Sequence, residues 1–163
     1  GPNTRAQAAR EMRQDVLVYT SEPLETPLEI TGRLGLELFV SSDAKDTDFT
    51  AWITDVAPNG ESYDLQTGIL RVRHRDGWDQ ETMMQPGEIY KIFVDLHATS
   101  HVFSKGHRLR LAISSSNFPK FDRNLNTGGD NFTETEGVIA TNSVHHGEGY
   151  PSRLILPVVG RAN

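Results

Sequence analysis

The chain contains no cysteine. That excludes a disulfide framework and thiolate chemistry, and a domain of 163 residues does not need such staples, because a chain of this size buries roughly 70% of the surface its unfolded form exposes. It has no apolar run approaching the ~20 residues of a membrane helix, and no charged-then-apolar leader opens it. A basic excess is also missing. Sixteen Lys and Arg stand against 22 Asp and Glu, a net charge of −6, which opposes the phosphate neutralisation that nucleic-acid binding draws on. No internal repeat or low-complexity segment is present. The expectation is one soluble domain, with the compartment left open and the cytoplasm favoured, and with neither nucleic acid nor membrane as a partner.

The motif absences narrow the chemistry. The G-x-S-x-G turn that mounts the nucleophile of an α/β-hydrolase does not occur. Ser114, Ser115 and Ser116 offer hydroxyls, and histidines and carboxylates to complete a triad exist elsewhere, but serines at the end of a strand more often satisfy turn backbone. In "DAKDTDF", Asp43, Asp46 and Asp48 have the spacing flavour of a calcium loop without its Gly at position six or its Glu at position twelve. They are read as carboxylates accepting backbone N–H bonds in a turn. His145 and His146, with Glu148 beyond, serve one metal only if the segment is a loop, since neighbours on a strand face opposite ways. Asn131, Phe132 and Thr133 form an N-x-T sequon, which matters only in a glycosylating pathway. No catalytic residue, metal ligand or cofactor site is assigned.

What the chain has in abundance is period two. Leu34, Leu36, Leu38 and Val40 share one face of "RLGLELFV" against Arg33, Glu37 and Phe39. Phe49, Ala51 and Ile53 oppose Thr50, Trp52 and Thr54 in "DFTAWITDV", so Trp52 is expected to point outward. "GILRVRHR" sets Leu70 and Val72 against Arg71 and Arg73, and "EIYKIFVDL" sets Tyr90, Ile92, Val94 and Leu96 against Lys91 and Asp95. "GHRLRLAISS" aligns Leu109, Leu111 and Ile113, and "SRLILPVV" aligns Leu154, Leu156 and Val158. "VLVYT" at 16–20 and "GVIATNSV" at 137–144 are weaker strands. Pro and Gly turns such as "APNGES" and "QPGE" separate the runs. Some eight strands without amphipathic helices predict an all-β antiparallel sandwich, with a jelly roll suiting the count.

Gly1 and Pro2 read as the remnant of a cleaved tag. Residues 1–14 are taken as that remnant plus a loose linker with little apolar face, and 15–163 as the domain. The stretch "SSSNFPKFDRNLNTGG" at 114–129 reads as an ordered crossover. Phe118 is held extended by Pro119, Asp122, Asn124 and Asn126 suit Asx bonds, and Gly128 and Gly129 accept positive φ. Phe118 and Phe121, each worth about 2 kcal/mol on burial, are expected to pin it. Trp52 on a polar strand face and Trp78 in "RDGWDQ" are expected to be solvent-facing, for stacking on a sugar or a partner surface.

The segment "ATSHVFSKGHRLRLAISSSNFPKFDRNLNTGG" at 98–129 closely resembles the signature region of the C-terminal non-catalytic domain of X-Pro dipeptidyl-peptidase and cocaine esterase type serine hydrolases. "DVLVYTSEPLETPLEITG", "LFVSSDAKDTDFTAWITDVAPNG", "DGWDQETMMQPGEIYKIFVDL" and "PSRLILPV" follow the same domain in order, so the resemblance covers roughly residues 15–159. It implies a galactose-binding-like β-jelly roll joined to an α/β-hydrolase domain that carries the Ser, Asp and His triad. In that family the jelly roll packs on the hydrolase and a helical cap, shaping the active-site entrance of peptidases, carboxylesterases and acylases. None of the family's catalytic residues maps onto this chain. The implied partner is the α/β-hydrolase catalytic domain of the same parent chain, with a homo-oligomer as a further possibility. The candidate interdomain or ligand contacts are Phe39, Trp52, Trp78, Phe118 and Phe121. A carbohydrate-binding module on the same fold, with Trp52 or Trp78 in a groove, is the alternative, and a stand-alone esterase using Ser114–Ser116 is the third reading.

Overall fold

The computed structural model describes residues 9–160; the tag remnant and the first part of the expected linker lie outside the described residues. Alternating apolar side chains drive the chain into two antiparallel sheets. In the first, β1 (Leu17–Thr20) pairs with β6 (Arg108–Ser114), β6 with β3 (Asp48–Val56), and β3 with β4 (Ser62–Arg71). In the second, β5 (Tyr90–Phe103) pairs with β2 (Leu28–Ser42), whose other edge takes β7 (Asn142–His145) and β8 (Arg153–Ile155). The inward residues read from the sequence meet between the sheets. Leu34, Leu36, Leu38 and Val40 of β2 join Phe49, Ala51 and Ile53 of β3, Ile92, Val94 and Leu96 of β5, and Leu111 and Ile113 of β6 in one core. The protein is an antiparallel β-sandwich. Among the described residues no helix is long and apolar enough to cross a membrane.

At one point the sheets come too close for any side chain. A Cβ on Gly68 of β4 would lie 2.1 Å from the Asp95 carbonyl oxygen of β5, so only glycine lets the two backbones approach there.

Several strand expectations change in extent. "GILRVRHR" does not continue as a strand: β4 stops at Arg71 and Val72–His74 form a 3-10 turn. The backbone leaves the ladder because better acceptors lie in the β2–β3 connection. The Val72 N–H donates to the Thr47 carbonyl at 2.9 Å, and the Arg73 N–H donates to the Asp46 carboxylate at 2.9 Å. "GVIATNSV" is strand only over Asn142–His145. "SRLILPVV" pairs over Arg153–Ile155 alone, with Val158 reduced to an isolated bridge to Ile30 and exposed, after Pro157 has removed a ladder donor.

The largest correction concerns Trp52. Its side chain leaves the outer face of β3, as the alternation requires, but it is fully buried. The cover comes from the segment before β1, whose residues 9–11 are helical. Arg10 lays its guanidinium 4.3 Å from the centre of the indole, and Val16 and Ala112 complete a small apolar cluster with Trp52. The Arg10 guanidinium also donates to both carboxylate oxygens of Asp64 at 2.9 and 3.0 Å. The Glu11 carboxylate accepts from Arg110 at 2.5 Å and from the Ser62 hydroxyl at 3.1 Å. Residues 10–16 therefore cover the first sheet, where the sequence suggested a loose lead-in.

Candidate functional site

The long connection between β6 and β7 forms one end of the sandwich, and buried charge holds it there. Asp46 is fully buried and receives the Arg73 backbone N–H and Nε, the latter at 2.8 Å. Asp48, also buried, is gripped by Arg71 through Nε at 3.0 Å and Nη2 at 3.2 Å. Asn124 of the crossover donates to both carboxylates at 2.8 Å, and the Arg73 Nη2 donates to the Gly129 carbonyl at 2.9 Å. These aspartates were read as turn acceptors. Asp46 does accept a backbone N–H, but from Arg73, and both carboxylates spend most of their capacity on arginines that the alternation had turned toward solvent. Burial pushes the Asp48 carboxyl above the usual range, against the pull of Arg71 and Asn124. Asp43 shows the opposite balance: the Thr141 N–H, 2.7 Å away, holds its carboxyl below the usual range.

So anchored, the crossover walls a cleft of about 650 Å³ against the end of β4 and the loop carrying Trp78. Trp78, 80% exposed, stacks on His74 with ring centres 5.9 Å apart. Phe118 is 56% exposed and Phe132 85%. Phe121 is half-buried in the same wall. Polar groups are interleaved with them, among them Arg71, Asp122, Asn131 and Glu134. Phe118 is not the buried pin expected: its ring is exposed and carries the Arg123 guanidinium 4.6 Å from its centre. Phe118 and Arg123 also line a second pocket, of about 370 Å³, on the far side of that ridge.

Three of the five expected contact residues thus meet in one cleft: Trp78, Phe118 and Phe121. Trp52 lies beneath the neighbouring pocket, sealed from the surface, so it offers no platform to a sugar. Phe39 is remote, on the outer face of the second sheet, with its ring 5.6 Å from that of Tyr150 and 6.0 Å from the Lys91 ammonium. Phe132 and Arg123 went unpredicted. Phe132 was hidden inside the sequon, whose Asn131 turns its side-chain oxygen to the Leu125 N–H at 2.9 Å.

The other motifs have structural duties. The Ser114 hydroxyl donates to the Asp15 carbonyl at 3.1 Å, and the Ser115 hydroxyl accepts from Asn142 at 2.7 Å. His145 is 2.9 Å from the Ser41 hydroxyl and packs on Tyr150. Among the described residues no three His, Asp or Glu side chains are placed to share a metal. One constellation had no sequence signal. Asp55, on β3, lies between His101 of β5 at 2.9 Å and His107, in the turn before β6, at 2.8 Å. The three residues come from separate strands and turns, so no spacing announces them.

Sandwich, crossover and aromatic cleft together define a β-sandwich module without a nucleophile elbow. The family described as the X-Pro dipeptidyl-peptidase C-terminal non-catalytic domain matches residues 3–155, and the chain belongs to that family. It is 48% identical over 151 residues to the cocaine esterase of Rhodococcus sp. (strain MB1 Bresler), a match covering 91% of this chain and 26% of that one. Among solved structures, an aminopeptidase of a marine sediment Thaumarchaeota archaeon superposes with a TM-score of 0.90 at 29% identity, over 94% of this chain and 27% of that one. An α-amino acid ester hydrolase superposes equally well, with a TM-score of 0.90 at 28% identity and the same coverage. The chain spans about a quarter of the length of each of these proteins.

Proposed function

We propose that this sandwich is the accessory domain of a longer serine hydrolase acting on esters or peptides, and that its aromatic cleft is the face that packs on the catalytic domain. The esterase, aminopeptidase and amino acid ester hydrolase to which it is similar support the reaction class. The observation that carries the docking face is the exposure of Trp78, Phe118 and Phe132 around one cleft, although the core closes without them. Exposed aromatics gathered beside arginine are the residue types that dominate protein interfaces. A domain of this kind holds the catalytic domain in place and forms part of the wall of its entrance. The chemistry itself belongs to the domain that carries the nucleophile.

The test uses the longer protein in which this sequence continues from its catalytic domain. Trp78→Ala combined with Phe118→Ser should weaken the association of the two domains by about 2 kcal/mol or more, seen as earlier loss of esterase activity on heating. In the 163-residue chain the same pair should change the unfolding midpoint little, as exposed positions do. Equal destabilisation in both contexts would overturn the docking role.

A further inference from the structure

The second pocket has an unusual chemical bias. Among the described residues Arg10, Arg13 and Arg123 line it, and no carboxylate does. Arg10 is engaged by Asp64, and Arg13 by Asp15, so those partners lie outside the lining. Arg123 has no ion-pair partner among the described residues; it rests on the Phe118 ring and is exposed at the rim of the pocket, free to take an anion in place of water. Among the described residues two neutral groups in the same lining are buried without a hydrogen-bond partner: the Trp52 indole Nε1 and the Asn117 amide Nδ2. Both are donors. Indole nitrogen has no acceptor capacity, and the Asn117 amide has already directed its oxygen toward Arg10, at 3.5 Å. A buried donor left unpaired costs about 1–3 kcal/mol, so the wall is short of acceptors and of negative charge at once.

We infer that this pocket, between the covering segment at residues 10–16 and the start of the crossover, binds a small oxyanion, a carboxylate or a phosphate. Such a ligand is acceptor-only and complements the guanidinium groups of the lining. The Arg123 guanidinium supplies the principal charge-assisted contact and Arg13 a second, while the indole and amide N–H groups lie buried just behind that wall. The volume of about 370 Å³ admits the anion with part of its hydration shell. Its occupancy would tie the covering segment to the crossover, the two parts that frame Trp52. This inference rests on the pocket alone and does not depend on the catalytic domain.

The indole N–H of Trp52 reports the site directly. The chain has two tryptophans, so a Trp78→Phe background leaves a single indole cross-peak in an amide-type nitrogen–proton spectrum. Titration with sodium phosphate, and separately with sodium acetate, at ionic strength held constant by sodium chloride, should move that peak saturably for at least one of the two anions. Arg123→Gln should weaken the binding at least about tenfold, the loss expected for one charge-assisted hydrogen bond. Asn117→Asp places an acceptor and a negative charge in the wall. It should abolish binding and raise the unfolding midpoint, an outcome that separates a donor-rich pocket from a merely mobile one. A Trp52 resonance that follows phosphate and acetate no more than chloride would overturn the inference and leave water as the occupant. A shift of unchanged affinity in Arg123→Gln would overturn it as well.

Discussion

Asp46→Ala should cost about 3–5 kcal/mol of folding stability, roughly a fifth or more of what a domain of this size has to lose. The carboxylate is fully buried, and the Arg73 guanidinium that it holds is itself buried. Deleting the acid leaves a buried cation whose remaining carboxylate, the exposed Glu81 at 3.8 Å, makes no hydrogen bond to it, with the Arg73 N–H and the Asn124 amide short of an acceptor. Arg73 cannot lose its proton to escape. Adding Arg73→Met in the same chain should recover a good part of the loss, because an apolar side chain tolerates the site that a lone charge does not. Urea unfolding midpoints of the single and double variants measure both effects. A single variant within 0.5 kcal/mol of the parent, the range of ordinary surface changes, would mean that the ion pair does not anchor the crossover. The consequence reaches the candidate site, since Arg73 and Asn124 are the links between this acid and the wall that carries Phe118 and Phe132.

Trp52→Ala should be comparably damaging, about 3–5 kcal/mol. Removing the indole empties the space between β3 and the covering segment, and takes away the ring beneath Arg10. Trp52→Phe should retain most of the stability: it keeps an apolar ring under the guanidinium and removes a buried N–H that has no partner. The comparison discriminates sharply between two pictures of this residue. If Trp52 were an exposed platform for a sugar, truncation to Ala would shift the unfolding midpoint hardly at all, and any effect would appear in ligand binding instead.

Trp52 also shows how far the sequence could be read. Period-two alternation identifies the side of a strand on which a side chain leaves, and for β3 it did so correctly. It carries no information about what covers that side. Here the cover is Arg10 and Val16, some 40 positions earlier in the chain, in a segment whose polar composition suggested a linker. The arginines of "GILRVRHR" illustrate the same blindness. Arg71 and Arg73 alternate away from the core as expected, yet they end on Asp48 and Asp46, and no periodicity marks a pairing across 23 and 27 positions. The long strands β2, β3, β5 and β6 were legible because each places an unbroken apolar comb into a shared core. The short ones, β7 and β8, were legible only in part, since pairing with β2 and not their own pattern determines where they end.

The candidate site was half visible. The crossover was recognisable from its Pro, Gly and amide content: of the two glycines expected to take a positive φ Gly128 does and Gly129 does not, while Asn126 takes one unannounced. The direction of Phe118 was not legible, because the burial of a ring of this area is favourable only if a cavity exists to receive it. The core is filled by Phe49, Phe103 and the aliphatic comb, and Phe118 turns outward to Arg123. The aromatic cleft arises from tertiary placement of two loops, so Trp78 and Phe118 could be named singly but not as neighbours.

Hydroxyl-radical footprinting tests the docking face most directly, comparing the 163-residue chain with the longer protein that includes the catalytic domain. Trp78, Phe118 and Phe132 should be oxidised readily in the chain alone and protected several-fold in the longer protein, as interface residues that lose their solvent should be. Phe93, 53% exposed on the other sheet, should be oxidised equally in both. Equal oxidation of the three cleft aromatics in the two proteins, with protection appearing at Phe93, would contradict the assignment and move the interface to the opposite sheet.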